Sequence, residues 1–176
     1  MLYSFRNKEP VVGKDTYISE QTTIIGNVKI GDNCYIGPGA IIRGDYGSII
    51  INAGTAVEEG VIIHAFPFTT CLIGQRVTIG HGAIIHCKSI GDFASIGMGA
   101  ILSINSEIGQ NSIIAEGTLI KMRQIIHPEV LVGGNPAREL RKITDQDKEH
   151  WAWGKQMYID LAKEYLQGDF KKLPID

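Results

Sequence analysis

Three of the chain's five histidines, His64, His81 and His86, lie close together in the middle of the sequence. Neutral imidazoles bind divalent metals, and three of them on Zn²⁺ leave a fourth tetrahedral position open, as catalytic zinc sites do. Water in that position has its pKa lowered to near 7. We therefore expect these histidines to hold a catalytic metal if the fold brings them together. Zn²⁺ is the expected ion, with Fe²⁺ or Co²⁺ as alternatives, since imidazole accepts all three.

The elements that must position these histidines repeat every six residues. That period fits neither an amphipathic helix nor a simple strand. It is typical of a β-solenoid, in which each hexapeptide forms a short strand and a corner. Branched aliphatic residues mark the repeat in four runs: Val12, Ile18, Ile24, Ile30, Ile36 and Ile42; Ile51, Val57 and Ile63; Ile73, Ile79 and Ile85; and Ile90, Ile96, Leu102, Ile108, Ile114, Ile120, Ile126 and Val132.

The repeat predicts where two of the histidines point. With three hexapeptides per coil, Ile42, Ile63 and Ile85 stack in one inward column. Side chains alternate along a strand, so the residue after each isoleucine points outward. Those outward residues are Arg43, His64 and His86. Adjacent coils lie about 4.8 Å apart, which is close enough for two imidazoles to share one metal.

His81 follows Gly80 and belongs near a corner of a different face. Within one chain we expect it to point away from the other two histidines. A three-histidine site can still close if His81 comes from a neighbouring subunit. A symmetric ring would then make identical sites at each subunit interface, and a closed ring of three chains is the simplest such arrangement for a three-sided prism.

Extra residues interrupt the repeat between Ile42 and Ile51 and between Ile63 and Ile73, and we expect them to form outward loops. The repeat ends at the breaker cluster of residues 133–136. Beyond it, Thr144 and Asp147 resemble a capping box, and the pattern predicts an amphipathic helix over Asp145–Leu166. We thus predict a β-helix domain of residues 1–140 and a helical extension of residues 141–176. The apolar face of the helix is expected to pack on the solenoid, and it is formed by Trp151, Tyr158, Leu161, Ala162 and Tyr165.

Composition narrows the function classes. The formal net charge is −2 and the pI about 6.2, with no basic stripe, which argues against nucleic-acid binding. Aliphatic runs are too short to span a membrane, and a cytoplasmic location is expected. Cys34, Cys71 and Cys87 are an odd number at unrelated spacings, so we expect reduced thiols.

Two segments around the histidines resemble the γ-class carbonic anhydrases. They are Arg43-Gly44-Asp45 with residues 57–64, and Gly80-His81-Gly82 with residues 83–86. The tail, residues 134–138 followed by an aromatic helix, is most similar to the PaaY and CaiE branch. The resemblance implies an all-β, left-handed parallel β-helix, a triangular prism of hexapeptide repeats with a C-terminal α-helix on its flank. It also implies a homotrimer that hydrates CO₂ to bicarbonate, with His64 and His86 of one chain and His81 of its neighbour as ligands.

The resemblance implies that Arg43 and Asp45 pair and order the site. Glu58 and Glu59 stand where the family usually has Gln and Asp, so Glu58 can accept but not donate a hydrogen bond to water. The loop of residues 65–70 lacks the family's acidic proton shuttle, which leaves Glu59 as the candidate. As an alternative, the apolar Phe66-Pro67-Phe68 segment of this loop lines a pocket for a larger substrate. Two rival functions remain: an acyl-CoA thioesterase or acyltransferase, and a metal-clamped trimeric scaffold of low activity.

Overall fold

The computed structural model describes residues 1–168, 170, 171, 173 and 174. The chain is mostly β, with a left-handed parallel solenoid of about seven turns and one C-terminal helix, which confirms the predicted fold class. The left-handed crossover is rare because twisted strands normally favour right-handed connections.

The solenoid is made of short strands separated by tight corners. The strands are β1 (Leu2–Tyr3), β2 (Val11–Val12), β3 (Tyr17–Ile18), β4 (Thr23–Ile30), β5 (Tyr35–Ile36), β6 (Ile41–Ile51), β7 (Ala56–Val57), β8 (Ile62–His64), β9 (Thr70–Ile73), β10 (Thr78–Ile79), β11 (Ile84–Ile85), β12 (Ser89–Ile90), β13 (Ser95–Ile96), β14 (Ile101–Leu102), β15 (Glu107–Ile108), β16 (Ile113–Ile114), β17 (Leu119–Ile120), β18 (Ile125–Ile126), β19 (Val130–Gly133) and β20 (Arg138–Lys142).

The register confirms three hexapeptides per coil. Ile42 pairs with Ile63, and Ile63 pairs with Ile85, so the predicted inward column exists. These side chains are fully buried, and the isoleucine and leucine positions of the repeat form one continuous core. Gly80 permits close stacking at the corner before His81, since a Cβ there would lie 2.8 Å from the Met98 amide nitrogen. The core thus fixes which outward positions become neighbours.

The two insertions differ from each other. The first does not form a loop, because β6 runs unbroken from Ile41 to Ile51 around a corner of the prism and pairs with β8 on one face and β9 on the next. The extra residues are absorbed where the β4–β6 register shifts between Gly26 and Val28. The second insertion forms a loop between β8 and β9, as predicted.

The C-terminal helix α1 spans Asp145–Gln167, one residue longer than predicted, and begins with the predicted capping box of Thr144 and Asp147. Its buried face packs on β3, β5 and β7. An aromatic cluster joins the helix to the solenoid through Tyr17, Tyr35, Tyr158 and Tyr165. Within the described residues, no helix combines the length and hydropathy that crossing a bilayer requires. The division at residue 140 stays a prediction.

Candidate metal centre

His64 and His86 stand side by side on one outward face. His64 ends β8, and its register partner on β6 is Arg43. The His64 Nδ1 and His86 Nε2 atoms are 2.9 Å apart, and the rings meet edge to face with centroids 4.8 Å apart. The solenoid core therefore converts the six-residue period into a pair of convergent imidazole nitrogens.

This pair fits a divalent metal. Two nitrogens at about 2.0–2.1 Å from a tetrahedral Zn²⁺ lie about 3.3 Å from each other, a few tenths of an ångström more than the separation here. His86 Nδ1 is a buried polar atom with no hydrogen-bond partner among the described residues. It is the ring nitrogen of His86 that does not face His64, so it says nothing about a metal; the two facing nitrogens supply two of the three protein ligands that a catalytic zinc site has.

Asp45 and Arg43 flank His64. The His64 Nε2 atom lies 3.3 Å from Asp45 Oδ1, and the Arg43 guanidinium donates to Asp45 Oδ2 at 2.5 Å. Partial burial and the Arg43 charge lower the pKa of His64, which favours the neutral imidazole that a metal requires. Burial alone would raise the pKa of Asp45, but hydrogen bonds from the Tyr46 amide and Arg43 lower it, so this carboxylate stays ionised.

His81 lies apart from that pair, at a corner lined by carboxylates. Its Nε2 is 3.0 Å from Glu58 Oε2 and its Nδ1 is 2.6 Å from Glu59 Oε2. Glu58 also accepts a hydrogen bond from the His81 backbone amide at 3.1 Å. Within the described part of a single chain, no three His, Cys, Asp or Glu side chains converge on one point. The predicted ligands therefore fall into two groups, His64 with His86, and His81 alone.

An exposed aliphatic column borders the histidine pair. Ile41, Ile62, Ile84 and Ile101 pair in register and are 40–41 % exposed. Each lies two residues before an outward position of the histidine column and therefore on the same face. A continuous apolar strip on a solvent-facing sheet is typical of a protein–protein interface.

Two sets of polar side chains where α1 packs on the solenoid were not predicted from the sequence. The Tyr35 hydroxyl donates to Glu59 Oε1 at 2.6 Å, and the Tyr158 phenol interacts with Glu58. Burial, followed by these carboxylate contacts, raises the pKa of both tyrosines. Tyr17 and Tyr35 occupy the same repeat position on successive coils. This spacing could have indicated an aromatic surface on which the helix packs.

The second unpredicted group is Lys155, which is 3 % exposed. Its ammonium donates to Ser95 Oγ at 2.6 Å, the Ala94 carbonyl at 3.2 Å and Thr78 Oγ1 at 3.4 Å. Burial, and then the charge of Arg76, lowers the pKa of Lys155 to about 7. Position 155 falls on the helix stripe that carries Trp151 and Ala162, and this spacing could have revealed its burial.

The three cysteines lie in the hydrophobic core. Cys34, Cys71 and Cys87 are buried free thiols, and Cys87 points into the core, away from its neighbour His86.

Comparison with known proteins supports the architecture and the family. Residues 9–44 match the family model of the bacterial transferase hexapeptide, six repeats. The carnitine operon protein CaiE of Salmonella agona is 37 % identical over 91 % of this chain and 81 % of its own. The mitochondrial gamma carbonic anhydrase 2 of Arabidopsis thaliana is 33 % identical over 94 % of this chain and 62 % of its own. A crystal structure of a hexapeptide transferase family protein from Anaplasma phagocytophilum superposes with a TM-score of 0.89 at 32 % identity, covering 93 % of this chain and 97 % of that one.

Fold and sequence together define a hexapeptide-repeat protein of the left-handed β-helix class. Within that class the chain belongs to the γ-carbonic anhydrase-like family, on the branch that includes CaiE. Its relatives include a gamma carbonic anhydrase and a hexapeptide transferase family protein, which supports the conclusion that this chain is an enzyme.

Proposed function

We propose that this protein catalyses the metal-dependent, reversible hydration of CO₂ to bicarbonate and a proton. The observation that carries the proposal is the division of the histidines. His64 and His86 converge to 2.9 Å on one face, while His81 projects separately from another corner with 48 % of its side chain exposed. A homotrimer that apposes this face to that corner unites three imidazoles at each interface.

The exposed isoleucine column favours this assembly. It borders the histidine pair, so covering it with a neighbouring chain removes apolar surface from water and brings that neighbour's side chains towards His64 and His86. The same contact that stabilises a trimer would then complete the site.

A bound Zn²⁺ would supply a coordinated water of pKa near 7 as the nucleophile for CO₂. The chain's own residues orient the ligands. His81 contacts carboxylates through both ring nitrogens, and it must release one of them to bind a metal. The remaining carboxylate contact fixes the tautomer and ring orientation, as carboxylates commonly do for metal-bound histidines.

Glu58 and Glu59 differ in exposure, and we assign them different roles. The Glu58 side chain is 7 % exposed and held by the His81 amide, so it is placed to accept a hydrogen bond from the attacking water. The Glu59 side chain is 40 % exposed, so it can pass the released proton to buffer. Arg43 and Asp45 hold the His64 side of the site in place.

A second candidate is acyl-CoA thioester hydrolysis or acyl transfer. The loop after His64 carries apolar Phe66 and Phe68 and no acidic residue, which suits a larger substrate. Among similar solved structures is a hexapeptide transferase family protein. An acyltransferase of this kind needs one histidine as base and no metal, so chelation separates the two candidates.

The test is stopped-flow CO₂ hydration with protein purified without oxygen, after metal analysis of the same sample. We expect about one metal per chain, and loss of both metal and activity in His81→Ala. Activity on acyl-CoA that survives dialysis against a chelator would favour the second candidate. One metal per chain without hydration or thioesterase activity would indicate the scaffold. Protein without metal, or full activity in His81→Ala, would contradict the metal centre.

A further inference from the structure

The loop that follows His64 displays an aromatic ring in a fixed position. Phe68 is 93 % exposed, although its backbone amide donates to the Tyr46 carbonyl at 3.0 Å. The Thr69 amide and hydroxyl both donate to the Phe66 carbonyl, at 3.1 and 2.8 Å. Phe68 also adopts a φ of 63°, a left-handed conformation that bulky residues rarely take. The loop is therefore ordered around an aromatic side chain that faces solvent in the single protomer.

The outer face of α1 carries an open groove of about 510 Å³. Trp153, Met157, Tyr158 and Leu161 form its apolar walls, and Trp153 and Met157 are 64 % and 50 % exposed. Gly154 lies in the groove, where an added Cβ would meet no atom within 4 Å. Aromatic rings and methionine sulfur are favourable partners for a phenyl ring.

Loop and groove belong to the two halves of the proposed metal site. The Phe66 ring centroid is 6.4 Å from that of His86, which ties the loop to the histidine pair. On the other half, Tyr158 packs on Tyr35 with centroids 5.3 Å apart, and Tyr35 donates to Glu59, which contacts His81. A trimer that joins His81 to the histidine pair would therefore have the loop of one chain and the groove of the next on the two sides of the same interface.

We propose that Phe68 of one protomer seats in the α1 groove of its neighbour, forming an apolar wall beside the shared metal site. The proposal rests on the proposed interfacial site, and its occupant is a second copy of this chain. Asp160 and Glu164 edge the groove. They would repel an acidic loop or the phosphates of a coenzyme A ester, whereas residues 65–70 carry no titratable side chain.

Cross-linking tests this contact directly. The native cysteines are buried, so a Phe68→Cys, Met157→Cys double variant places the only exposed thiols at loop and groove within the described residues. Under mild oxidation or with a short bismaleimide, we expect covalent dimers and trimers on non-reducing gels. The matched control joins Phe68→Cys to Lys163→Cys, whose side chain is also exposed on α1 but does not line the groove, and it should stay monomeric on the gel.

The outcomes separate this inference from the proposed function. A trimer with one metal per chain whose double variant does not cross-link contradicts the Phe68 contact alone, whereas a metal-free monomer contradicts both. If the double variant does not fold, Gly154→Leu replaces it, since an added Cβ at this position of the groove meets no atom of the protomer within 4 Å. We expect this variant to dissociate at roughly tenfold higher protein concentration in light scattering, and unchanged assembly would overturn the inference. Saturable binding of decanoate to the trimer, lost in Gly154→Leu, would also overturn it by showing a small ligand there.

Discussion

The two halves of the candidate metal site are built in different ways. His64 and His86 sit on adjacent strands of one face, fixed by the register of buried isoleucines beneath them and bordered by exposed aliphatic side chains. His81 sits at a corner, where Glu58, Glu59 and Tyr35 form a hydrogen-bonded cluster against α1. The repeat alone shapes the first half, whereas the second depends on a helix from the far end of the chain.

The difference in charge is as instructive as the difference in construction. The pair side offers imidazole nitrogens beside Arg43 and Asp45, whose charges cancel. The corner side offers one imidazole and two carboxylates. A dication placed between the halves would find its charge matched by Glu58 and Glu59, whose ion-pair contacts among the described residues are with His81 alone. The pair side therefore supplies two imidazoles without net charge, and the corner side supplies the third imidazole with the negative charge that a dication needs.

The largest expected effect comes from mixing two variants, each of which lacks the histidines of one half of the site. His81→Ala chains keep the pair, and His64→Ala, His86→Ala double-variant chains keep the corner, so neither alone should hold metal. In a mixed trimer, about one interface of the three combines an intact pair with an intact corner. We expect co-refolding of the two proteins to restore metal and hydration to about a quarter of the wild-type level, measured by metal analysis and stopped-flow assay.

The matched control is each variant refolded by itself, which should give neither metal nor rate. If the mixture also gave none while light scattering showed mixed trimers, the halves would not come from different chains. Activity in His81→Ala alone would show that the pair side is sufficient.

A second prediction concerns Lys155, which belongs to the helix-built half. Because its pKa is about 7 in the folded chain and 10.5 ordinarily, the unfolded chain binds more protons between those values. The free energy of unfolding therefore rises with pH across that window and is lowest below pH 7. From pH 7 to 9 the gain is on the order of 2 kcal/mol. Urea unfolding should show this slope; the charge of Arg76 lowers the pKa of Lys155 and that of Glu58 raises it.

Lys155→Met should remove most of that slope and leave the protein more stable at pH 7, since methionine needs no desolvation of a charge. Lys163→Met, at an exposed position of the same helix, should keep the wild-type slope. Equal slopes in wild type and Lys155→Met would mean that Lys155 stays charged in the folded chain.

The same contrast explains how far sequence reasoning reached. The period of six predicted the solenoid, the inward column and the outward neighbours Arg43, His64 and His86, because stacked repeats translate sequence spacing directly into position. It did not reveal Tyr35 or Lys155 as polar partners, since their neighbours are set by how α1 crosses the coils. The helix face itself was readable from its 3.6 period. The first insertion was misread as a loop because a strand that bends around a prism corner has no distinct sequence signal.

A third, smaller effect tests whether the tyrosines position the carboxylates. Tyr35→Phe removes the hydroxyl that donates to Glu59 but keeps the ring that packs on Tyr158. Since Glu59 in turn contacts His81, we expect roughly threefold to tenfold weaker metal binding, less than for loss of a direct partner of a ligand. Competition with a chromogenic chelator measures it. Tyr165→Phe is the control, because that ring packs on Tyr17 and makes no carboxylate contact among the described residues.

The smallest effect concerns the start of α1. The Thr144 hydroxyl accepts a hydrogen bond from the Asp147 amide at 3.2 Å, while the Asp147 carboxylate accepts from the Thr144 amide at 2.7 Å and is paired with Arg141. Thr144→Ala removes the first of these bonds and the one that the hydroxyl donates to Asp147 Oδ2 at 2.8 Å, but it keeps the bond from the Thr144 amide, so we expect a loss of about 0.5–1 kcal/mol in urea unfolding. Thr144→Ser should keep the wild-type value. Lys155, Ile159 and Ala162 anchor the helix further along, so metal affinity should change less than twofold. A loss of metal affinity as large as that expected for Tyr35→Phe would show that the His81 corner depends on the whole helix rather than on its buried middle.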